Sequence, residues 1–181
     1  DLHRDLLAFD GNPQGFRIIT KLSGVDDHGM NLILPQIAST VKYPVAPKGI
    51  NGNNPLRKKA GVYHCEDDIW KEVRNGLGLK IGQRFPLAYL MEAADDISYC
   101  LSDIEDGIEK GFFSHKEFVN AVLDGVDKDE GVKKVVCDAI NSAEKSRQFV
   151  EPVVSFRAQL VTYLVEKLAG AYAEKHHDIF S

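Results

Sequence analysis

Hydrophobic residues recur at three- and four-residue spacing along much of the chain, a pattern typical of amphipathic helices. The longest such stretch runs from Arg84 to Gly111. Pro86 suits the first turn of a helix, and a glycine at position 111 suits the end of one. At about 100° per residue, the apolar residues of this stretch share one side, namely Leu90, Ala94, Ile97, Leu101, Ile104 and Ile108. The pattern therefore predicts one long helix whose apolar side belongs to the core.

The other side of this predicted helix carries carboxylates with a tyrosine among them. Glu92, Tyr99, Asp103 and Asp106 fall within about 80° of Asp95 on a helical projection. Helical spacing alone favours a solvated acidic surface, because charged helix faces are usually solvent faces. The functional interpretation is a carboxylate ligand for a hard cation, with neighbours that position a substrate. Tyr99 favours the second interpretation slightly, since an aromatic side chain prefers partial burial.

The remaining pattern predicts further helices and no strands. Asn12 and Pro13 suit an N-cap and a first helical residue, and Ser114 with Glu117 forms a capping box. Segment 1–10 is expected to be the end of a helix, and further helices are expected over 32–41, 66–75 and 131–146, and from Pro152 onwards. Segment 44–56, rich in proline, glycine and asparagine, is expected to be a loop. The predicted fold class is all-α, as a multi-helix bundle in one domain over 1–181.

Composition narrows the possible classes of protein. The chain has 181 residues, of which 44% are hydrophobic and 27% charged, which is ordinary for one globular domain. A net charge of −5 argues against a strong general nucleic-acid binder but allows a local basic pocket. No apolar run approaches the roughly 18 residues of a membrane helix. Three cysteines without a C-x-x-C spacing indicate reduced thiols, so we expect a cytoplasmic protein.

Several motifs together resemble one known family. E-A-A-D-D-I-S-Y over 92–99 is preceded by R-F-P-L and followed by D-x-E-D. The motifs G-N-x-Q-G-x-R, K-Y-P and K-K-x-G-x-Y precede it in the same order. This set resembles the deoxyguanosine triphosphate triphosphohydrolases, bacterial members of the HD-domain phosphohydrolases. The resemblance covers most of residues 1–115, is weaker beyond, and implies an HD-domain-like helical bundle.

The resemblance implies an activity, a cofactor and an assembly. Members of this family hydrolyse dGTP, and some of them other dNTPs, to the deoxynucleoside and inorganic triphosphate. Asp95 matches a metal ligand, and manganese, magnesium and cobalt all accept such a site. The family usually forms homo-oligomers. Neither the base preference nor the metal is fixed by the motifs that match.

The resemblance also assigns substrate-binding residues. Those expected to contact the phosphates or the sugar are Asn12, Lys42, Tyr43, Lys59, Tyr99 and Asp103. Asp103 would bind the sugar 3′-hydroxyl. Spacing alone favours simpler roles for three of them. Asn12 would be a helix cap, Lys42 a charge complementing a helix dipole, and Lys59 part of a solvated basic loop.

The family's H…HD histidines and first aspartate do not occur in these residues. The dipeptide His177-Asp178 follows Asp95 instead of preceding it. We therefore expect a fragment that is inactive alone, with the catalytic metal site incomplete. Two alternatives stay open: a non-catalytic helical module that binds nucleotide or single-stranded nucleic acid, and a structural interaction domain.

Overall fold

The computed structural model describes residues 2–25, 28–125, 130–145 and 152–180. Within these ranges the chain is helical with connecting loops and contains no strand, which confirms the all-α prediction. The α-helices are α1 Leu2–Leu7, α2 Gly11–Arg17, α3 Leu34–Ser39, α4 Asp67–Gly76, α5 Leu87–Glu109, α6 His115–Gly125, α7 Glu130–Lys145, α8 Pro152–Glu174 and α9 His176–Phe180. A π-helical segment, Ile18–Leu22, follows α2 directly, and short 3₁₀ turns are Pro47–Gly49, Pro55–Arg57 and His64–Glu66. None of the described helices combines the length and hydrophobicity needed to cross a bilayer.

The chain divides into two compact units, Asp1–Glu92 and Ala93–Ser181. In the first unit, aliphatic and aromatic side chains of α2, α3, α4 and the intervening loops form the core. Phe16 lies edge-on to Trp70, with ring centroids 6.3 Å apart, an arrangement that aromatic quadrupoles favour. The buried members of this core are Phe16, Ala38, Val41, Val62, Trp70 and Val73. Trp70 is thus a packing residue of this core.

The second unit has its own core, in which α7 packs against α8. Val136, Ala139 and Phe156 are buried there, and Phe118 of α6 packs edge-on to Phe156 at 5.4 Å. The predicted capping box is confirmed at the start of α6. Ser114 Oγ accepts the Glu117 N–H at 3.2 Å, and Glu117 Oε2 accepts the Ser114 N–H at 2.8 Å. Whether the chain forms one domain stays a prediction.

The long helix α5 ends as its sequence predicts. Gly111 has a φ of +71°, and the N–H groups of Gly111 and Phe112 bond back to Ile108 O and Gly107 O. This is the Schellman arrangement, which needs a residue that tolerates positive φ. On the predicted apolar side, Leu101 is buried and most of the others are half-buried. Ala94 departs from the prediction because it is exposed.

The start of α2 corrects one prediction. The N-cap is Asp10, not Asn12, and the helix begins at Gly11. Asp10 has extended backbone angles, and its carboxylate accepts the Asn12 N–H at 3.1 Å. A carboxylate satisfies a free N–H at this position at least as well as an asparagine amide does. Asn12 is therefore inside the first turn, where its side chain is available for other contacts.

Candidate functional site

Two of the sequence motifs lie against each other in the first unit because of one glycine. The Gly61 N–H donates to Val45 O at 3.0 Å. A Cβ at position 61 would lie 1.9 Å from Tyr43 O, far inside any allowed contact. Only a glycine permits this approach. The K-Y-P segment and the K-K-x-G-x-Y segment are thereby held side by side.

Asn12 and Lys59 meet on one carboxylate. Asp10 Oδ2 accepts the Lys59 ammonium at 2.7 Å, and Asp10 Oδ1 accepts the Asn12 side-chain amide at 2.5 Å. Lys59 remains half-exposed in this pair, while Asp10 is largely covered. Two residues that the sequence predicts at the phosphates, 47 positions apart in the chain, are therefore neighbours.

The charges of this group influence one another. Burial alone would raise the pKa of Asp10, but Lys59 and the Asn12 N–H groups bring it below its ordinary value. The hydrogen bond to Asp10, followed by its charge, raises the pKa of Lys59. Lys42 opposes that rise, so the two ammonium groups lie within electrostatic reach of each other. Lys59 is therefore a cation over the whole physiological pH range.

Lys42 is held from two directions. Its ammonium lies 3.2 Å from Glu92 Oε1, and its carbonyl oxygen accepts the Arg84 Nε–H at 2.7 Å. The Arg84 guanidinium also pairs with Glu92 Oε2 and lies 4.8 Å from the centroid of the Tyr89 ring. Arg84 is buried, and Glu92 and Lys42 are mostly covered. The three charged groups thus form one connected network.

Tyr43 is buried between these groups, with 4% of its surface exposed. The Lys58 ammonium lies 5.9 Å from the centre of its ring, within the range of a cation–π contact. We call Lys42, Lys58 and Lys59 the lysine cluster. Lys58 and Lys59 lie near Tyr43, and the carboxylates of Glu92 and Asp10 pair with Lys42 and Lys59. A cluster of this kind is suited to bind a polyanion.

The remaining predicted site residues belong to the second unit. Asp95, Tyr99 and Asp103 are all exposed on α5, and Tyr99 exposes 64% of its surface. Tyr99 is therefore less covered than the sequence led us to expect. Within the described residues of this unit, no side chain forms an ion pair or hydrogen bond with Asp95. The one-face arrangement follows from helical geometry, since positions 95, 99 and 103 recur every four residues.

The described residues contain no complete metal site. No group of three His, Cys, Asp or Glu side chains among them could hold an ion. Asp95 by itself offers a single carboxylate, and a transition metal in a protein takes three or four ligands. The described residues therefore do not fit a complete metal centre, and the metal-ligand role of Asp95 stays a prediction.

Sequence reasoning missed three residues of this site. Asp10 lies outside the matching motifs, Arg84 opens the R-F-P-L segment without an assigned role, and Glu92 belongs to the predicted acidic face of α5. All three act through partners far away in the chain, at separations of 49, 42 and 50 residues. Only Glu92 had a local signal, since a carboxylate eight residues after an arginine is a possible partner for it. The binding roles of all the site residues stay predictions.

The fold and this site define a class: an all-α protein with a cationic cluster suited to a polyphosphate. Comparison with curated proteins finds relatives that share one name. The chain is 40% identical over 124 residues to a probable deoxyguanosinetriphosphate triphosphohydrolase of Pseudomonas aeruginosa, covering 66% of this chain and 24% of that protein. It is 40% identical over 129 residues to a deoxyguanosinetriphosphate triphosphohydrolase of Cronobacter sakazakii, covering 68% and 24%.

A third relative aligns over almost the whole chain. This is a deoxyguanosinetriphosphate triphosphohydrolase-like protein of Listeria monocytogenes, 29% identical over 181 residues, covering 99% of this chain and 37% of that protein. No family model matches the chain. The resemblance found in the motifs is confirmed, and the chain is related to the deoxyguanosine triphosphate triphosphohydrolases. It spans between about a quarter and two-fifths of the length of these relatives.

Proposed function

We propose that the full-length protein hydrolyses dGTP, either alone or together with other dNTPs, to the deoxynucleoside and inorganic triphosphate. The names of the relatives support this reaction. This chain would supply phosphate- and sugar-binding residues and one metal ligand. Homo-oligomerisation, which the family resemblance implies, belongs to the same proposal.

The observation that carries the proposal is the lysine cluster around Tyr43. A triphosphate needs several cations at close range, and each charge-assisted hydrogen bond to an ammonium is stronger than a neutral one. The chain as a whole carries a net charge of −5, so a local concentration of lysines stands out against its surroundings. Asn12 lies beside the same group through Asp10 and would add an amide donor to a phosphate oxygen.

The exposed face of α5 supports the second part of the proposal. Asp95 and Asp103 are eight residues apart in one continuous helix, so their backbones are about 12 Å apart. That distance fits a nucleotide lying along the helix, with the sugar 3′-hydroxyl near Asp103 and Tyr99 between the two carboxylates. Asp95 is exposed and has no side-chain partner among the described residues of its own unit. It could therefore bind a ligand without breaking a contact there.

The metal belongs to the proposal as well. Manganese, magnesium or cobalt would supply Lewis-acid activation of water or of a phosphate oxygen. Asp95 would be one ligand among several, and the residues described here do not make up the rest of the set. The work of this chain's own residues is then to bind the triphosphate and to orient the sugar.

The experiment is triphosphate release from dGTP with manganese, using the full-length protein. We expect the Asp95→Ala variant to lose activity by about a thousandfold or more, since a metal contributes several kcal/mol to the transition state. Asp96→Ala is the matched control, because Asp96 is also exposed on α5 but points about 100° away. It should keep most of the activity.

Two results would contradict the proposal. Equal activity of the Asp95→Ala variant and the parent would remove the metal-ligand role. A full-length protein that hydrolyses no dNTP but still binds inorganic triphosphate would favour the non-catalytic nucleotide-binding module. Salt-sensitive binding of single-stranded nucleic acid would favour the same alternative.

A further inference from the structure

Arg84 and Glu92 contact both the backbone and the side chain of Lys42. Arg84 contacts the backbone of Lys42 through Nε, at 2.7 Å from the carbonyl oxygen, and contacts Glu92 through Nη1. Glu92 in turn contacts the Lys42 ammonium at 3.2 Å through its other oxygen, Oε1. The contacts form a closed ring that fixes both ends of the Lys42 side chain.

Arginine is suited to this arrangement because its guanidinium is planar and presents donors in a rigid fork. One donor can reach a carbonyl while another reaches a carboxylate, in directions that an ammonium cannot reproduce. The side chain of Arg84 is 3% exposed, whereas that of Lys42 is 19% exposed. The buried arginine is thus the fixed part of the ring, and the lysine is the part that solvent and ligands can reach.

We infer that Arg84 and Glu92 are positioning residues for Lys42, which they hold in place for a triphosphate group. This inference rests on the proposed function, because it takes Lys42 to be a phosphate contact. Neither Arg84 nor Glu92 needs to touch the substrate. Glu92 pairs with Lys42 when no ligand is bound, and Arg84 keeps Glu92 oriented.

The test is a double-mutant cycle in the full-length protein, with inorganic triphosphate as the probe and calorimetric titration as the measurement. The variants are Lys42→Ala, Arg84→Lys and the combination of the two. Lys42→Ala should weaken triphosphate binding by about tenfold to a hundredfold, the loss expected for a hydrogen bond to a charged group. Arg84→Lys should weaken it by about tenfold although Lys42 is still present.

The decisive result is the combination. If Arg84 acts through Lys42, then Arg84→Lys should change binding by less than about twofold once Lys42 is alanine. With dGTP as substrate, Arg84→Lys should raise KM, because a phosphate contact of the bound substrate is weakened. A purely structural role would instead lower the unfolding temperature of both backgrounds alike.

The second unit offers a matched control. Arg157 also pairs with a carboxylate of α5, that of Glu105, and the contacts described for this pair involve no predicted site residue. Arg157→Lys and Glu105→Gln should leave triphosphate affinity unchanged. If Arg84→Lys does not fold, Glu92→Gln takes its place in the cycle, since it keeps the shape of the side chain and removes its charge.

The outcomes separate the two proposals. Unchanged binding in Lys42→Ala would refute the phosphate role of Lys42, and with it both the inference and that part of the proposed function. A loss in Lys42→Ala, together with an undiminished effect of Arg84→Lys in the double variant, would refute the inference alone. The same holds if Arg84→Lys and Glu92→Gln both bind triphosphate as the parent does.

Discussion

The predicted site residues of the two units differ in how their positions are fixed. In the first unit, Lys42 and Lys59 are paired with carboxylates. The backbone of the buried Tyr43 lies so close to position 61 that only a glycine fits there. In the second unit, Asp95 and Asp103 are exposed on one helix. The first group depends on contacts between segments far apart in the sequence, and the second depends on helical periodicity alone.

The difference implies two kinds of sensitivity to substitution. Residues that hold the lysine cluster also hold the first unit together, so their substitution is expected to affect both stability and binding. Residues on the exposed face of α5 can be changed with little effect on folding. Trp70 is the single tryptophan of the sequence and lies in the core of the first unit. Its fluorescence therefore reports on the first unit separately.

The largest loss of stability is expected from Gly61→Ala. The new Cβ would lie 1.9 Å from Tyr43 O, and backbone cannot rotate away as a side chain can. We expect a loss of about 3 kcal/mol in the free energy of unfolding of the first unit. Urea unfolding followed by Trp70 fluorescence measures it. Gly15→Ala is the control, because a Cβ there meets nothing within 4 Å, and its midpoint should not fall.

The second largest loss of stability is expected from Glu66→Gln. Glu66 is 2% exposed and accepts both Arg17, at 3.0 Å, and Lys21, at 3.2 Å. Loss of its charge leaves two cations with weaker partners, and we expect about 2 kcal/mol of destabilisation in the same urea experiment. The comparable change in the second unit is Asp106→Asn, which affects an exposed pair with Lys110. Equal effects in the two variants would contradict the contrast between the units.

A smaller effect is expected from Asp5 at acid pH. Burial would raise its pKa, but the N–H groups of His64 and Cys65 lower it below its ordinary value. A lowered folded-state pKa stabilises the fold above the unfolded pKa, about 3.9, and this stabilisation is lost as pH falls through the folded-state value.

Urea midpoints measured between about pH 5 and pH 2 test this dependence. The Asp5→Asn variant should be less stable than the parent at the upper end and should lose less of its stability towards acid. Asp96→Asn, a change at an exposed residue of α5, should keep the slope of the parent. Parallel curves for the parent and the Asp5→Asn variant would show that Asp5 does not contribute.

The sequence predicts the parts of this molecule that depend on local rules. Helix α5, its glycine end and the capping box at Ser114 all follow from spacing within a few residues, and the structure contains them. The cap of α2 was assigned two residues too late because Asp10 and Asn12 are both good caps. The pairs of Asp10 with Lys59 and of Arg84 with Lys42 depend on tertiary packing, which periodicity does not report. The motifs include Arg84 and Glu92 as well as the lysines, but they do not indicate that these residues contact one another.

The smallest effect on stability is expected from Asp103→Asn, a substitution on the exposed face of α5 in the second unit. Asp103 is exposed, and the asparagine that replaces it has nearly the same shape. The free energy of unfolding should therefore change by less than about 0.5 kcal/mol. The predicted partner of Asp103 is the sugar 3′-hydroxyl. The full-length variant should therefore lose about tenfold of its preference for dGTP over the 2′,3′-dideoxy analogue, measured as a ratio of kcat/KM values. An unchanged ratio would leave Asp103 as ordinary helix surface, whereas a changed ratio at unchanged stability would show that α5 serves the substrate without serving the fold.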